Sequence, residues 1–407
     1  PNSEVLYKLY EKRKIAEIVE SPKINGNVII PACILFRNTE FTVTKIHIGA
    51  FSGSRVESIL FEKNSSIKSL PNCAFENSSI RKLFIPKSVN NLDIFWCKGA
   101  DYLEEIEVDP ENPYFSVENG LLIYKKEKVR EILFAPRNLE GEFIIPEGIT
   151  RIGNYSFCHR DHLLSVKCES DSLSKIDSYA FYKCNNLKSI SFQQNTPLLL
   201  EYFAFSESVN LESVKIISSD VKIYYCCFNG CEKLSSVTMN DSDSIKILKY
   251  SFKKCISLKK IDFNNSSIIT IDNKSFDESE KLQKVSFTDV KKVIIKPLAF
   301  SNCKLLKIFS VKNANDVSIG RKCFIKSKKI KSFIIQTKNL FLSENILINC
   351  KQISEFNINC QKANKIIIHP NTFGQSNLSK FILISPDIKL SSSCFKDLEK
   401  LALVEIK

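Results

Sequence analysis

The chain has 407 residues, of which 43% are hydrophobic and 25% are charged, and its formal net charge at pH 7 is +13. The apolar content suffices for a large core, and the scarcity of glycine excludes a collagen-like protein. The longest apolar runs are too short to span a bilayer, so we predict no transmembrane segment, and the basic balance favours acidic partners.

One phrase recurs along the chain with a period of about 24 residues: an apolar residue, four spacers, an aromatic residue and two further apolar pairs. A fixed period of this size marks a solenoid, which usually presents a long surface to a partner. We therefore predict a mainly β solenoid of about 14 units of 22–26 residues. The aromatic position holds Phe51, Phe75, Phe157, Phe181, Phe205, Phe228, Phe252, Phe276, Phe300, Phe324, Phe373 and Phe395, with Cys97 and Leu347 in its place twice.

The spacing within one unit indicates its local structure. In "KIDSYAFYKCNNLKSISF", Ile176 precedes the aromatic Phe181, and Cys184 follows it by three residues. The alternation of Ile190 and Phe192 is typical of a half-buried strand, whereas the Phe-x-x-Cys-x-x-Leu spacing fits a short helical turn. Each unit is therefore predicted to contain two short strands joined by turns. Because so small a unit cannot bury its own apolar face, stacked neighbours must supply the core.

Three passages resemble a known family. Residues 24–51, "INGNVIIPACILFRNTEFTVTKIHIGAF", and residues 143–157, "FIIPEGITRIGNYSF", resemble the Ile-Pro-x-x-Val-x-x-Ile-Gly-x-x-Ala-Phe phrase of BspA-like leucine-rich repeat proteins. Residues 106–136 resemble the island of that family, and their Asn119-Gly120 pair is itself a strong hairpin signal. The resemblance spans nearly the whole chain and implies a leucine-rich repeat superhelix, although later units lose the Ile-Pro phrase.

The same resemblance implies the domain organisation. The opening "SEVLYKLYEKRKIAEIVE" would suggest a helix by itself, but the likeness implies a capping hairpin that turns at residues 11–14. We expect an N-terminal capping region over residues 1–45 and a repeat array over residues 46–407, interrupted by a β-hairpin island at about 106–142. Since the array ends without a polar cap, we expect further sequence or another element to close its last turn.

The 15 cysteines follow the repeat. Most of them lie at two repeat positions where other units carry serine or alanine. We predict that the cysteines at these positions are small core residues and do not form a disulfide framework. Cys33, Cys73 and Cys226 are less constrained, and a bridge among them stays open. The core positions hold Cys184, Cys231, Cys255, Cys303 and Cys350 three residues after the aromatic, and Cys227, Cys323 and Cys394 just before it.

The sequence contains little that indicates catalysis. One cluster with metal-ligand residue types runs from Cys158 to His162 and is followed by Cys168, but its spacing fits no recognised zinc pattern. We find no glycine-rich phosphate loop, no nucleophile elbow and no pair of carboxylates at matching repeat positions. We therefore expect no enzymatic activity, no metal and no cofactor.

The residue between the two inward-facing residues of a leucine-rich repeat strand points outward. This row is mostly small and polar and becomes apolar in the later units, where Ile294, Phe341 and Ile367 also replace the lysines of earlier units. An exposed apolar patch often marks an interface, although a wider or twisted sheet that buries these residues is the alternative. The candidate ligand-binding residues are Lys215, Thr238, Asp262, Ser286, Ser310, Ile334, Phe341 and Asn357.

The family resemblance implies a non-enzymatic adhesion module, at the cell surface or secreted, that binds host or neighbouring-cell proteins, matrix or glycans. The positive net charge favours acidic partners such as sulfated glycans. Nucleic acid is disfavoured, because the aromatic residues occupy core positions and are not interleaved with basic residues as stacking platforms. A cytoplasmic scaffold that uses the same face for protein–protein interaction is the alternative.

Overall fold

The fold is known from a computed structural model, which describes residues 5–360, 365–374, 376–385, 389–390, 393–395, 398 and 400–406. These residues form two compact units. The first unit comprises Pro1–Glu140, Gly148–His162 and Asp177–Phe181, and the second comprises Gly141–Glu147, Leu163–Ile176 and Tyr182–Lys407. Both are built from short strands and turns, and the described residues contain no helix.

The first unit begins with thirteen strands in succession. They are β1 (Tyr7–Tyr10), β2 (Ile15–Ile18), β3 (Asn25–Ile30), β4 (Cys33–Phe36), β5 (Thr39–Ile46), β6 (Arg55–Phe61), β7 (Ser69–Leu70), β8 (Lys82–Ile85), β9 (Asn91–Leu92), β10 (Glu105–Val108), β11 (Phe115–Glu118), β12 (Leu121–Lys126) and β13 (Val129–Phe134).

The remaining strands run to the end of the chain, and β15 among them belongs to the first unit. They are β14 (Gly141–Ile144), β15 (Arg151–Ile152), β16 (Leu163–Cys168), β17 (Lys175–Ile176), β18 (Ser189–Gln193), β19 (Leu198–Leu200), β20 (Ser213–Ile217), β21 (Asp220–Ile223), β22 (Ser236–Met239), β23 (Ser244–Ile247), β24 (Lys260–Asn264), β25 (Ile268–Ile271), β26 (Lys284–Thr288), β27 (Lys292–Ile295), β28 (Ile308–Ile319), β29 (Ser332–Leu342), β30 (Glu355–Asn359), β31 (Lys365–Ile368), β32 (Lys380–Ile384), β33 (Lys389–Leu390) and β34 (Leu403–Ile406).

The first unit opens with the predicted hairpin. Strands β1 and β2 pair antiparallel across a turn at residues 11–14, and the sheet continues in the order β1-β2-β5-β4. Beyond it, β3, β6, β8 and β10 pair in parallel, with Ile59 and Ile106 both aligned with Leu83. The capping hairpin is confirmed, and the stretch that resembles a helix in isolation forms two strands.

The island is the predicted antiparallel hairpin. Strands β11, β12 and β13 pair in sequence, and Asn119 and Gly120 form the tight turn with positive φ angles of 51° and 79°. The buried Asn112 anchors it to the preceding repeat. Its Nδ2 donates to the carbonyl oxygens of Pro86 and Val89, both at 2.9 Å, and its Oδ1 accepts from two backbone N–H groups of the island. All of the hydrogen-bonding capacity of this amide is therefore used.

The second unit is a solenoid with two parallel ladders of strands. The first ladder joins β14, β16, β18, β20, β22, β24, β26, β28, β29, β30, β32 and β34. The second joins β17, β19, β21, β23, β25, β27, β28, β29, β31 and β33, because the long strands β28 and β29 take part in both. Inward-facing residues alternate with outward-facing ones along each strand.

Stacked phenylalanine rings run through the core of the second unit. Phe252 lies between Phe228 and Phe276, with ring centroids 5.0 and 5.1 Å apart. Successive turns of the chain lie about 4.8 Å apart in the hydrogen-bonding direction, so identical side chains in successive turns must stack. The same arrangement extends from Phe205 to Phe324. The aromatic repeat position is therefore a core position, as predicted.

Where the structure describes it, the segment around the aromatic is a tight turn and not the short helical turn that the spacing predicts. Tyr250 and Lys254, two residues before and after Phe252, have positive φ angles of 61° and 59°. Left-handed residues at these positions interrupt the right-handed helix. The backbone instead bonds to the next turn: the N–H groups of Phe252 and Lys254 donate to the carbonyl oxygens of Ser275 and Asp277 at 2.8 and 3.0 Å. Turns therefore hydrogen-bond to turns, as strands do to strands.

Candidate functional site

The register of the first ladder aligns most of the predicted surface residues. They come from successive strands and occupy equivalent positions, so they form one row across the sheet. The row is Lys215, Thr238, Asp262, Ser286, Ser310, Ile334, Asn357 and Ile382. Phe341 is not in this row, because it belongs to the second ladder and is aligned with Ser318 and Ile367.

Access to the row is uneven. Lys215 is exposed, and Ile334 and Asn357 are half-buried. Ser286 and Ser310 retain only 7% and 6% of their surface, because small side chains lie below their larger neighbours. The middle of the row is therefore recessed from a ligand. The prediction that these side chains point outward does not reveal this recess.

Asp262 carries the main electrostatic feature of the row. Burial raises the pKa of its carboxyl group, but hydrogen bonds from Lys260 and Ser286 and the charges of Lys260 and Lys284 outweigh burial and lower this pKa below its usual value. The carboxylate thus already has partners on its own and the neighbouring strand. It is a weak candidate for binding an external cation.

A shallow groove of about 610 Å³ lies on the second ladder and contains Phe341. Its floor is an aligned row formed by Ile294, Ser318, Phe341 and Ile367. Phe341 is 38% exposed, and its ring meets the ring of His369 edge-on at 5.0 Å. We call these four floor residues, together with the edge described next, the Phe341 groove.

The edge of the Phe341 groove is a second aligned row, two residues earlier on the same strands. It consists of Lys292, Asp316, Asn339 and Lys365. Asn339 donates from Nδ2 to Asp316 Oδ1 at 2.8 Å. Lys292 and Lys365 are exposed, and within the described part of the chain neither forms an ion pair. The groove therefore combines an apolar floor with two unpaired cations at its ends.

Ser318 and the edge row are not among the residues predicted from the sequence. Ser318 looks like an ordinary polar residue within the long strand β28, and only the register places it between Ile294 and Phe341. The repeat period contained this signal, because Lys292 and Lys365 occupy the same position in their units. The expectation that Ile294, Phe341 and Ile367 replace the earlier Lys222 and Lys246 is confirmed by the alignment.

A second surface feature is a cluster of tyrosines and lysines, which we call the tyrosine patch. Tyr202 and Tyr225 are 38% and 43% exposed, and their ring centroids lie 5.7 Å apart. Next to them, Lys249, Lys253 and Lys274 surround the ring of Tyr250, with Nζ atoms 4.9, 5.3 and 5.8 Å from its centroid. Surface aromatic residues are thus present beside basic residues, which the sequence analysis did not predict.

The cysteines predicted to be core residues are buried, and all 15 cysteines have free thiols in the structure. Several of them donate to the carbonyl oxygen of the aromatic residue one turn earlier, such as Cys231 to Phe205 at 3.2 Å. Within the described ranges, no three His, Cys, Asp or Glu side chains converge as a metal site would require, and this includes the cluster around Cys158.

The repeated turns, parallel ladders and outward rows define a leucine-rich repeat solenoid. The model of the family described as "BspA type Leucine rich repeat region (6 copies)" matches residues 33–119, 127–203, 199–317 and 270–402. The chain therefore belongs to the BspA-type leucine-rich repeat family. This membership indicates a repeat module of a typically non-enzymatic kind, suited to protein interaction or to a place at the cell surface.

The chain is similar to several solved structures of low sequence identity. A leucine-rich repeat protein from Bacteroides ovatus ATCC 8483 is 18% identical, with a TM-score of 0.50, and the match covers 100% of this chain and 99% of that one. A leucine-rich repeat protein from Eubacterium ventriosum ATCC 27560 is 19% identical, with a TM-score of 0.41 and coverages of 68% and 93%. The pneumococcal vaccine antigen PcpA is 16% identical, with a TM-score of 0.37 and coverages of 99% and 98%.

Only the first of these similarities is strong enough to support the fold, and none of them assigns a function. No curated protein sequence matches the chain significantly. Among the described residues there is no helix of the length and apolar character needed to cross a membrane.

Proposed function

We propose that the chain is a non-enzymatic recognition module that binds a protein ligand through the outward face of its second unit. It acts at the cell surface or after secretion, in adhesion to host or neighbouring cells or to matrix. The family membership supports a module of this kind. The alternative, a cytoplasmic scaffold that uses the same face, differs in compartment and not in chemistry.

One observation carries this proposal: the Phe341 groove exposes an apolar floor that the fold itself does not cover. Ile294, Phe341 and Ile367 occupy positions where earlier turns carry lysine or threonine, so the fold does not require apolar residues there. Exposed apolar surface with a polar rim is characteristic of protein interfaces. The edge row of the groove, which includes Asp316 and Asn339, supplies the polar surroundings.

The experiment is a binding assay with matched variants. The purified chain is tested against host cells, matrix proteins and heparin, at low and at physiological salt. We expect saturable binding that survives physiological salt, and we expect Ile334→Ser and Phe341→Ser to abolish it with an unchanged melting temperature. Lys222→Ser, in the same aligned row as Phe341 but outside the groove, is the control. A fall in melting temperature for Phe341→Ser would assign that side chain a packing role and refute the proposal.

A second candidate function, recognition of an anionic glycan, is favoured by the tyrosine patch. Tyr202 and Tyr225 offer exposed ring faces and hydroxyl groups, and Lys249 and Lys274 offer charges without an ion pair among the described residues. The test is binding to a heparin tetrasaccharide. We expect Tyr202→Ala and Tyr225→Ala to weaken it more than Lys215→Ala does. A loss in Lys215→Ala with none in the tyrosine variants would reduce the interaction to nonspecific charge attraction.

A further inference from the structure

The Phe341 groove contains a socket for one apolar side chain. Ser318 lies between Ile294 and Phe341 in the same aligned row, and adjacent strands are about 4.8 Å apart. A serine between two large side chains leaves a notch above its hydroxyl group. Val293 and Val317 beside it are buried and do not fill this space. The notch is therefore open from the solvent side and closed below by the core.

The charges around the socket have a definite geometry. Lys292 and Lys365 lie on strands β27 and β31, three strand spacings apart, which is about 14 Å. Their four-carbon stems allow each ammonium group to reach the end of the floor row. Asp316, which accepts a hydrogen bond from Asn339, lies between them. Positive charge at both ends and negative charge in the middle therefore surround an apolar floor.

We propose that the Phe341 groove binds an extended acidic peptide segment of a partner protein, with the pattern acidic–x–apolar–x–acidic. This inference rests on the proposed function and specifies its ligand. An extended chain advances about 3.4 Å per residue, so two carboxylates four residues apart lie about 13.6 Å apart. That separation matches the one between Lys292 and Lys365.

Side chains alternate between the two sides of an extended peptide, and this alternation determines which of them face the groove. Residues i, i+2 and i+4 of such a segment face the same side, so both carboxylates and the central apolar side chain face the groove together. The central side chain lies near the middle of the row, above Ser318, and enters the socket between Ile294 and Phe341. Asp316 repels a central carboxylate, which selects an apolar residue there. Charge complementarity and register thus select the same pattern.

The probe is the labelled peptide acetyl-Ser-Glu-Ser-Leu-Ser-Glu-Ser-amide, measured with the full chain by fluorescence polarisation. Three control peptides replace both glutamates by glutamine, replace leucine by serine, or move one glutamate by a single position. We expect each control to bind at least about tenfold more weakly. Isoleucine methyl NMR should show shifts at Ile294 and Ile367, and raising salt should weaken binding by screening the lysines.

Protein variants provide the complementary test. Ser318→Leu fills the socket, and it is compatible with the fold because its neighbours in the row are already large. We expect it to reduce peptide affinity at least about tenfold, and Lys292→Glu together with Lys365→Glu to do the same. Lys246→Leu, in the same row but outside the groove, should have no effect. If Ser318→Leu fails to fold, the two lysine variants decide the question.

Three results would overturn the inference: unchanged binding in Ser318→Leu, equal binding of the glutamine peptide, or no binding of the probe at any salt concentration. Its failure is distinguishable from failure of the proposed function. If Phe341→Ser abolishes cell or matrix binding while the probe does not bind, the function stands and the ligand pattern is wrong. If the probe binds as expected while the chain binds no cell or matrix component, the adhesion role is wrong and the groove specificity stands.

Discussion

The Sγ of Cys255 donates a hydrogen bond to the carbonyl oxygen of Phe228, one turn earlier in the solenoid, at 3.3 Å. The Oγ atom of Ser279 makes the same contact with Phe252 at 3.1 Å, and that of Ser327 with Phe300 at 2.9 Å. In these turns the repeat position holds a small side chain that carries a hydrogen-bond donor. Cysteine and serine both supply this donor, which is consistent with their exchange between these turns.

The first prediction concerns this donor. Cys255→Ser keeps both the size and the donor, so we expect its stability to change by less than about 1 kcal/mol, whereas Cys255→Ala loses the contact and leaves a small cavity, at a cost of about 1–3 kcal/mol. Urea unfolding followed by circular dichroism measures both variants. Ser279→Cys is the reciprocal control and should resemble the parent. Equal losses of stability in Cys255→Ser and Cys255→Ala would show that the hydrogen bond does not contribute to stability.

The second prediction concerns alkaline pH. Burial raises the pKa of the Cys97 and Cys350 thiols from 9.0 to about 12. Above about pH 9 the unfolded chain releases these protons while the folded chain retains them, so their stabilising contribution is complete below pH 9 and is lost as the pH rises toward 12. In that range, proton release from each thiol of the unfolded chain lowers the free energy of unfolding by up to about 1.4 kcal/mol per pH unit. Cys350→Ser should flatten the decline in urea midpoints between about pH 8 and 10.5, and an unchanged slope would contradict the assignment.

The third prediction concerns the stacked rings. Phe252 is fully buried between two rings whose planes lie within 11° and 5° of its own. Phe252→Ala removes the contacts with both, and we expect a loss of about 3–5 kcal/mol. Phe252→Leu should lose less, because Leu347 occupies this position in a natural turn. Chemical unfolding provides the comparison, and a leucine variant as unstable as the alanine variant would argue against simple filling of the core.

The fourth prediction concerns the left-handed turns. Lys254 is exposed and has a φ of 59°, and Gly230 occupies the equivalent position one turn earlier with a φ of 76°. Lys254→Gly relieves the backbone strain but loosens the unfolded chain, so we expect a change within about 1 kcal/mol. Lys254→Val places a β-branched residue in this conformation and should cost about 1–2 kcal/mol. Thermal melting tests both variants. An unchanged melting temperature for Lys254→Val would mean that the turn adopts another conformation in solution.

The fifth prediction concerns the island. Asn112 joins it to the preceding repeat through four hydrogen bonds. Asn112→Asp keeps the shape but cannot donate to the carbonyl oxygens of Pro86 and Val89, so we expect both Asn112→Asp and Asn112→Ala to destabilise the first unit by about 2–5 kcal/mol. Limited proteolysis should then cleave residues 115–134 sooner than in the parent. Val117→Thr, at an exposed position on the same hairpin but away from this anchor, is the control. Equal cleavage rates in the parent and the Asn112 variants would remove the anchoring role.

The features that depend on position within one repeat could be predicted from the amino-acid sequence. The aromatic position, the position just before it and the position three residues after it recur in successive repeats. The burial of Phe252, Cys227 and Cys255 could therefore be predicted. The two hairpins were predictable from the family resemblance, and Asn119-Gly120 also from local turn chemistry. These properties are set by the contacts between one turn and the next, and every turn has the same neighbours.

The features that depend on differences between turns could not be predicted from the repeat and follow from the packing of the folded chain. The turn around Phe252 is left-handed at two residues because bonding to the next turn outweighs the helical spacing of its side chains. The recess at Ser286 and the socket at Ser318 depend on the sizes of neighbours in other strands, and the spacing of Lys292 and Lys365 depends on the register. A surface is formed by side chains that are distant in sequence, and its shape therefore follows from the stacking of turns.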